Sequence, residues 1–153
     1  MQEVAVVLPD IRSAYNVGSI FRTADAAGVS LVLLAGHTPR PVDRFGRIDK
    51  TLHKTALGAE HSVPWEYAAR PATLLKKLKS DGWRIVGVEQ DSRAHNYKKK
   101  QVGKRIAFVF GNEVQGLSQN IRALCDELIE IPMRGAKESL NVSVAAGIIL
   151  FSR

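Results

Sequence analysis

The sequence predicts an α/β fold, a mostly parallel sheet flanked by helices, and two observations carry that reading. Apolar runs of strand length alternate with segments of helical periodicity along the whole chain, as strands joined by crossover helices require. The chain also closes on an unusually apolar helix, Val142–Phe151, whose one polar side chain is Ser143. A helix without a polar face needs cover on every side, which here calls for both the sheet and a second subunit.

Taken in order, Val4–Leu8 is an apolar strand cut off by Pro9. Val17–Ala27 follows as a helix, with Asn16 as N-cap and Ile20, Ala24 and Ala27 as a buried stripe at i, i+4 and i+7. Leu31–Leu34 is a strand and Lys50–Leu57 a helix. A short Ser62–Trp65 strand leads to a Pro71–Ser80 helix and to a Trp83–Glu89 strand. Arg105–Phe110 reads as a strand, Ser118–Leu124 as a short helix, and Leu128–Ile131 as a strand stopped by Pro132. The final helix begins after a polar turn, capped by Ser139 or Asn141.

A chain of 153 residues fits a single domain. Lys plus Arg number 22 against 15 Asp plus Glu, a net charge of +7, which suggests a polyanionic partner or a merely soluble basic surface. Cys125 has no partner for a disulfide and sits among Ala123 and Leu124, so it reads as a small core residue in a reducing compartment. His37, His53, His61 and His95 show no metal spacing, and no metal is expected. The amino-terminal run contains Glu3 and ends at Pro9, unlike a signal peptide, and no apolar run approaches the roughly 20 residues of a membrane span. A cytoplasmic protein follows as the expectation.

Ligands of open α/β sheets sit beyond the carboxyl ends of the strands. Three of the loops there are informative. The first leads into the helix that carries Arg22, which by itself reads as a solvated charge, an ion-pair partner of Asp25, or a functional cation. The second, Gly111-Asn112-Glu113-Val114-Gln115-Gly116-Leu117-Ser118, has nearly the spacing of a phosphate loop. Leu117 stands where the lysine of such a loop belongs, and Glu113 repels a triphosphate. No G-x-G occurs, so a dinucleotide fingerprint is absent. The third carries Ser139 and Asn141, which alone read as caps.

Together these segments resemble the three motifs of the SpoU/TrmH branch of the SPOUT superfamily, the S-adenosyl-L-methionine-dependent RNA 2′-O-ribose methyltransferases. Asn16-Val17-Gly18-Ser19-Ile20-Phe21-Arg22-Thr23-Ala24 is similar to the first motif. Phe110-Gly111-Asn112-Glu113 through Gly116-Leu117-Ser118 is similar to the second, and Ile131-Pro132-Met133 through Ser139-Leu140-Asn141-Val142-Ser143 to the third. The resemblance implies a deep trefoil knot near the C-terminus, with Val88, Glu89, Gly111, Ile131, Met133, Ser139 and Leu140 around the cofactor. It further implies a homodimer through the final helix, and RNA, transfer or ribosomal, as substrate. Arg22 would activate the ribose hydroxyl, with Asn16, Glu113, Ser139 and Asn141 arranging it. A guanidinium with a pKa above about 12 is a poor base, so Arg22 either accepts a proton after sharing its own with an RNA phosphate or stabilises the developing alkoxide.

Two basic segments are the candidate RNA surface. One holds Arg40, Arg44, Arg47, Lys50 and Lys54, the other Arg93, Lys98, Lys99, Lys100 and Lys104, with Phe45 and Tyr97 placed among them to stack on unpaired bases. A single methyltransferase domain over residues 1–153, without a further RNA-binding domain, is expected. The rival readings are a non-catalytic RNA-binding protein that keeps the same fold and a phosphate-loop nucleotidase.

Overall fold

The computed structural model describes all 153 residues. In chain order the elements are β1 (Glu3–Pro9), α1 (Ala14–Ala26), β2 (Leu31–Ala35), α2 (Lys50–Ala56), α3 (Ala59–Ser62) and β3 (Trp65–Ala68). They continue with α4 (Pro71–Ser80), β4 (Arg84–Val88), β5 (His95–Asn96), β6 (Arg105–Phe110), α5 (Gln119–Leu124), β7 (Glu127–Glu130) and α6 (Val142–Phe151). The strands form one seven-stranded sheet in the order β3-β2-β1-β6-β4-β7-β5. Every pairing is parallel.

A parallel sheet is covered on both faces, and its central strands are accordingly apolar throughout rather than alternating. Val4, Val6 and Leu8 of β1 face one core with Ile106, Phe108 and Phe110 of β6, under α1, α2, α3 and α6. Ala5 and Val7 face the other with Ala107 and Val109, under Leu75 and Leu78 of α4 and Ile121 of α5. The two faces fill with different residues of the same strands because side chains alternate across a strand.

Several boundaries differ from the expectation. Helix α1 starts earlier, with Ser13 as its N-cap accepting a hydrogen bond from the Asn16 N–H, so Asn16 lies inside the first turn and its side chain is free for other partners. Ala27 closes that helix as its C-cap. Strand β3 begins only at Trp65, and the expected Ser62 start belongs to α3. Pro64 explains the shift: it has no N–H to pair, and its carbonyl accepts the Val32 N–H just where β3 joins β2. The short β5 was not anticipated. Its chain carries no apolar run, since β5 lies at the open sheet edge, paired only to β7. Cys125 is half-buried rather than fully enclosed, and burial beside the Asp126 charge pushes its thiol up to about 11.

Helix α6 buries Val142, Ala146, Ile149 and Leu150 against the core, yet leaves Val144 50% and Phe151 63% exposed. Its own chain therefore covers one face. No helix is long and apolar enough to cross a membrane.

Helices α1 and α2 approach closely because Gly18 has no side chain. A Cβ there would stand 1.9 Å from Thr55 Oγ1 and 2.3 Å from the Leu52 carbonyl oxygen. The hydroxyl could rotate away, but the carbonyl is backbone. Gly18→Ala should therefore destabilise the fold by roughly 2 kcal/mol, overpacking outweighing the better helix propensity of alanine, which is worth about 1 kcal/mol. Urea unfolding measures this, and a stabilised variant would mean that α2 is free to retreat.

Candidate active site

The carboxyl ends of β4, β6 and β7 open into a cleft of about 360 Å³. Its wall is the turn after β6, which is held by its own side chains. Asn112 Nδ2 donates to the Asp10 carbonyl at 2.6 Å, tying the turn to the end of β1. Asn112 Oδ1 accepts from the N–H groups of Val114 at 2.9 Å and Gln115 at 3.1 Å. The Asn112 carbonyl accepts from Gly116 N at 2.8 Å. Gly116, at φ 68°, supplies the left-handed residue that closes this loop. A Cβ at Gly111 would stand 2.7 Å from Gly116 and Leu117 backbone atoms, so the loop's two ends close on each other only around glycine.

Glu89, just past β4, grips the far side. Its Oε2 accepts from Leu117 N at 2.7 Å, its Oε1 from Gln90 N at 3.0 Å, and Arg122 lies 3.7 Å from Oε2. Gln90 Nε2 donates to the Ile131 carbonyl at 2.7 Å, bringing the end of β7 alongside. These bonds use up the Val114, Gln115, Gly116 and Leu117 N–H groups that a phosphate would need, which removes the phosphate-loop reading.

The expected cofactor residues Val88, Glu89, Gly111, Ile131, Met133, Ser139 and Leu140 all line this one cleft. Phe110, Gln90, Glu130, Glu138, Val142 and Ala145 line it too and were not anticipated. The wall includes Glu89, Glu113, Glu130 and Glu138 but no Lys, Arg or His. In a chain of net charge +7 this is an inversion, and it suits a cationic ligand with an apolar body rather than an anionic one.

At the mouth, three of the expected catalytic residues meet. Asn16 Nδ2 donates to Glu113 Oε1 at 3.3 Å, and Asn141 Nδ2 donates to Asn16 Oδ1 at 3.2 Å. Asn141 also caps α6, its Oδ1 accepting from Ser143 N at 2.9 Å, which settles the choice between it and Ser139. Ser139 lies in the exposed turn on the cleft wall. Arg22 is not part of this cluster. It is exposed on α1 and makes no hydrogen bond or ion pair, and Asp25 instead accepts from Ser62.

The basic segments separate. Arg40, Arg44, Arg47, Lys50 and Lys54 follow the carboxyl end of β2, on the edge where the cleft opens. There Arg40 lies over the Tyr67 ring at 3.8 Å, while Arg44 and Arg47 lie 4.7 and 5.0 Å from the centre of exposed Phe45. Lys98, Lys99 and Lys100 lie instead beside Ile149 and Arg153 at the end of α6, and Lys104 precedes β6, at the opposite edge. Arg93 is held by Asp91 at 2.9 Å. Hydrogen bonds from Arg93 keep the Asp91 carboxyl far below the usual range. Of the histidines, His53 and His61 come together with Glu60, although their spacing in the sequence suggested no metal site.

Fold and site together define a class: an α/β domain whose small-molecule cleft sits beyond the carboxyl ends of parallel strands. The sequence model of the SpoU rRNA Methylase family matches residues 3–151, and the chain belongs to that family. It is 39% identical over 98% of its length to the Escherichia coli K12 protein named 23S rRNA (guanosine-2′-O-)-methyltransferase RlmB, of which it spans 59%. Among solved structures, an AdoMet-bound rRNA methyltransferase from Sinorhizobium meliloti superposes with TM-score 0.88 at 28% identity, over 98% of this chain and 55% of that one. The A. aeolicus TrmH/SpoU tRNA modifying enzyme gives TM-score 0.84 at 31% identity, over 99% of this chain and 74% of that one.

Asn112 belongs to the second motif, but motif reading assigns it no role, and its bonds are what hold the turn in place. Each hydrogen bond it makes contributes about 0.5–1.5 kcal/mol, so Asn112→Ala should lower stability by roughly 2 kcal/mol or more. Chemical denaturation measures it, and a loss under about 0.5 kcal/mol would place control of the turn elsewhere.

Proposed function

We propose that this chain is the catalytic domain of an RNA 2′-O-ribose methyltransferase that uses S-adenosyl-L-methionine. The observation that carries the reading is the cleft itself: apolar walls, glutamates and no cation, with a buried-to-surface amide and carboxylate relay at its mouth. The names of its relatives support it, one a guanosine-2′-O-methyltransferase and one solved with AdoMet bound.

The residues fit such a cofactor. Val88, Ile131, Met133 and Leu140 offer apolar contact, Gly111 and Ser139 lie where backbone groups line the wall, and Glu89 braces the loop. The cofactor would supply an electrophilic methyl on a sulfonium whose positive charge is lost on transfer. The protein's part is to hold the ribose hydroxyl against that carbon, and positioning of this kind can be worth about 7–11 kcal/mol. The Asn141–Asn16–Glu113 chain fixes the Glu113 carboxylate at the mouth of the cleft, where it orients the hydroxyl and Asn141 anchors the start of α6.

Within its own subunit Arg22 makes no hydrogen bond to that chain. It lies six residues after Asn16, about 9 Å along the helix and about 240° around it. We therefore assign it to the site of a second copy, in a two-fold dimer through the exposed face of α6 with Val144 and Phe151. There it stabilises the developing alkoxide. RNA would approach over Arg40, Arg44, Phe45 and Arg47, which share the cleft's edge. Lys98, Lys99, Lys100 and Lys104 would meet only a part of the RNA that reaches the opposite edge. The strand order supports a knot: β7, formed late in the chain, lies between β4 and β5, which precede it in sequence.

Two outcomes are expected. Calorimetric titration with S-adenosyl-L-methionine should show binding without added metal, and ATP with magnesium should show none. The absence of heat and of any thermal shift at millimolar cofactor would remove the proposal. Binding without transfer to any RNA would favour the non-catalytic reading.

The second outcome concerns the shared site. Arg22→Ala and Asn141→Ala should each be nearly inactive alone. Refolded together, random pairing makes half the dimers hybrids with one intact site of two, restoring on the order of a quarter of wild-type activity. No recovery, with tags confirming subunit exchange, would mean that Arg22 serves its own chain.

A further inference from the structure

Away from the cleft, α2 and α3 bring His53, Glu60 and His61 together, one ligand atom from each within 4.8 Å of the others. None of the three lines the cleft. Glu60 is the anomaly here. It is 4% exposed, and neither of its carboxylate oxygens has a hydrogen-bond partner. His53 Nε2 is also buried and unpartnered. A buried carboxylate is ordinarily met by donors or by a cation, because the charge is costly to strip of water. Its neighbours within ion-pair distance are only His53 Nδ1, 3.1 Å from Oε2, and His61 Nε2, 3.9 Å from Oε1. Since both oxygens remain unpartnered, neither contact is aligned as a hydrogen bond.

We propose that His53, Glu60 and His61 bind a divalent transition-metal ion of the zinc class. The donor set is two imidazoles and one carboxylate, which suits zinc and its neighbours and not the oxygen-rich shells of calcium or magnesium. Ligands on a tetrahedral zinc at about 2.1 Å stand about 3.4 Å apart; His53 Nδ1 lies 3.1 Å from Glu60 Oε2 and His61 Nε2 3.9 Å from the other oxygen, Oε1, so each imidazole stands near ligand spacing from one end of the carboxylate. His61 is exposed, so the fourth position opens to water.

The chain between the ligands explains what the ion would do. His53 sits in the last turn of α2, and Glu60 and His61 lie in α3, across an elbow that needs left-handed backbone at Leu57 (φ 52°) and Gly58 (φ 92°). A metal ion spanning the elbow would lock α3 onto α2. Ser62 of α3 in turn donates to Asp25 of α1, the helix that carries Asn16. The role is structural, stiffening the support beneath the site.

The test uses the untagged full chain after chelator treatment, titrated with zinc chloride by calorimetry and with cobalt(II) by visible spectroscopy. One zinc per chain, a raised unfolding temperature and tetrahedral cobalt ligand-field bands are expected. His61→Ala and Glu60→Gln should each weaken binding at least about tenfold, since even loss of an outer-shell partner costs about 10–100-fold. His37→Ala and His95→Ala should change nothing. His61 is exposed, so its replacement does not endanger folding. Zinc binding as tight in His61→Ala as in the wild type, or no binding by the folded wild type, would overturn the proposal.

Discussion

One carboxamide sets the shape on which the cleft depends. Asn112 reaches the end of β1 with its amide, gathers two N–H groups of its own loop with its oxygen, and closes the loop through its backbone carbonyl. Glu89 answers from β4 by accepting from Leu117, and Gln90 carries the tie to β7. Asp10 adapts to this, taking a left-handed φ of 54° at the end of β1, a conformation that aspartate tolerates better than most residues. The ends of four strands are thus fixed relative to one another by side chains that never need to touch a ligand. Such a support is what keeps a binding surface within the small tolerance that catalysis needs.

Charge is distributed to a second purpose. The chain is basic overall, but its cations lie outside the cleft, some stacked on aromatic rings at the rim and others at the far edge. A basic rim attracts polyanions at long range, whereas an acidic cleft complements a small cation. One sequence-wide net charge therefore describes neither region. The inversion between them points to a pair of ligands of opposite charge.

The sheet was legible because parallel strands buried on both faces leave unbroken apolar runs, such as Val4–Leu8 and Arg105–Phe110. The short edge strand β5 was not, because two polar residues paired on one side carry no such pattern. The order of the strands was equally hidden, since nothing local tells β7 to enter between β4 and β5. In the site, the loop residues Gly111, Glu113 and Asn141 stood out by motif and position. Asn112 did not, because its work is hydrogen bonding within the loop, which only the fold reveals. The gathering of His53, Glu60 and His61 was invisible for a related reason: an elbow with two left-handed residues, not a regular period, turns them toward each other.

Helix α1 shows how far apart neighbours in a motif can stand. Ser13 caps it, which releases Asn16 from capping and lets it bridge Glu113 and Asn141 on the inner side. Val17, Ile20, Phe21 and Ala24 fill the core, Gly18 admits α2, and Arg22 is left on the outside. Six residues apart on a helix, Asn16 and Arg22 leave it in directions about 120° apart, however closely they follow in sequence. The interior side of α1 is spent on holding its own chain's cleft, and its exterior side carries a cation with no partner in that chain. A helix built this way joins two surfaces, and the exposed apolar face of α6 packed beside it is the natural ground on which a second copy would bring them together.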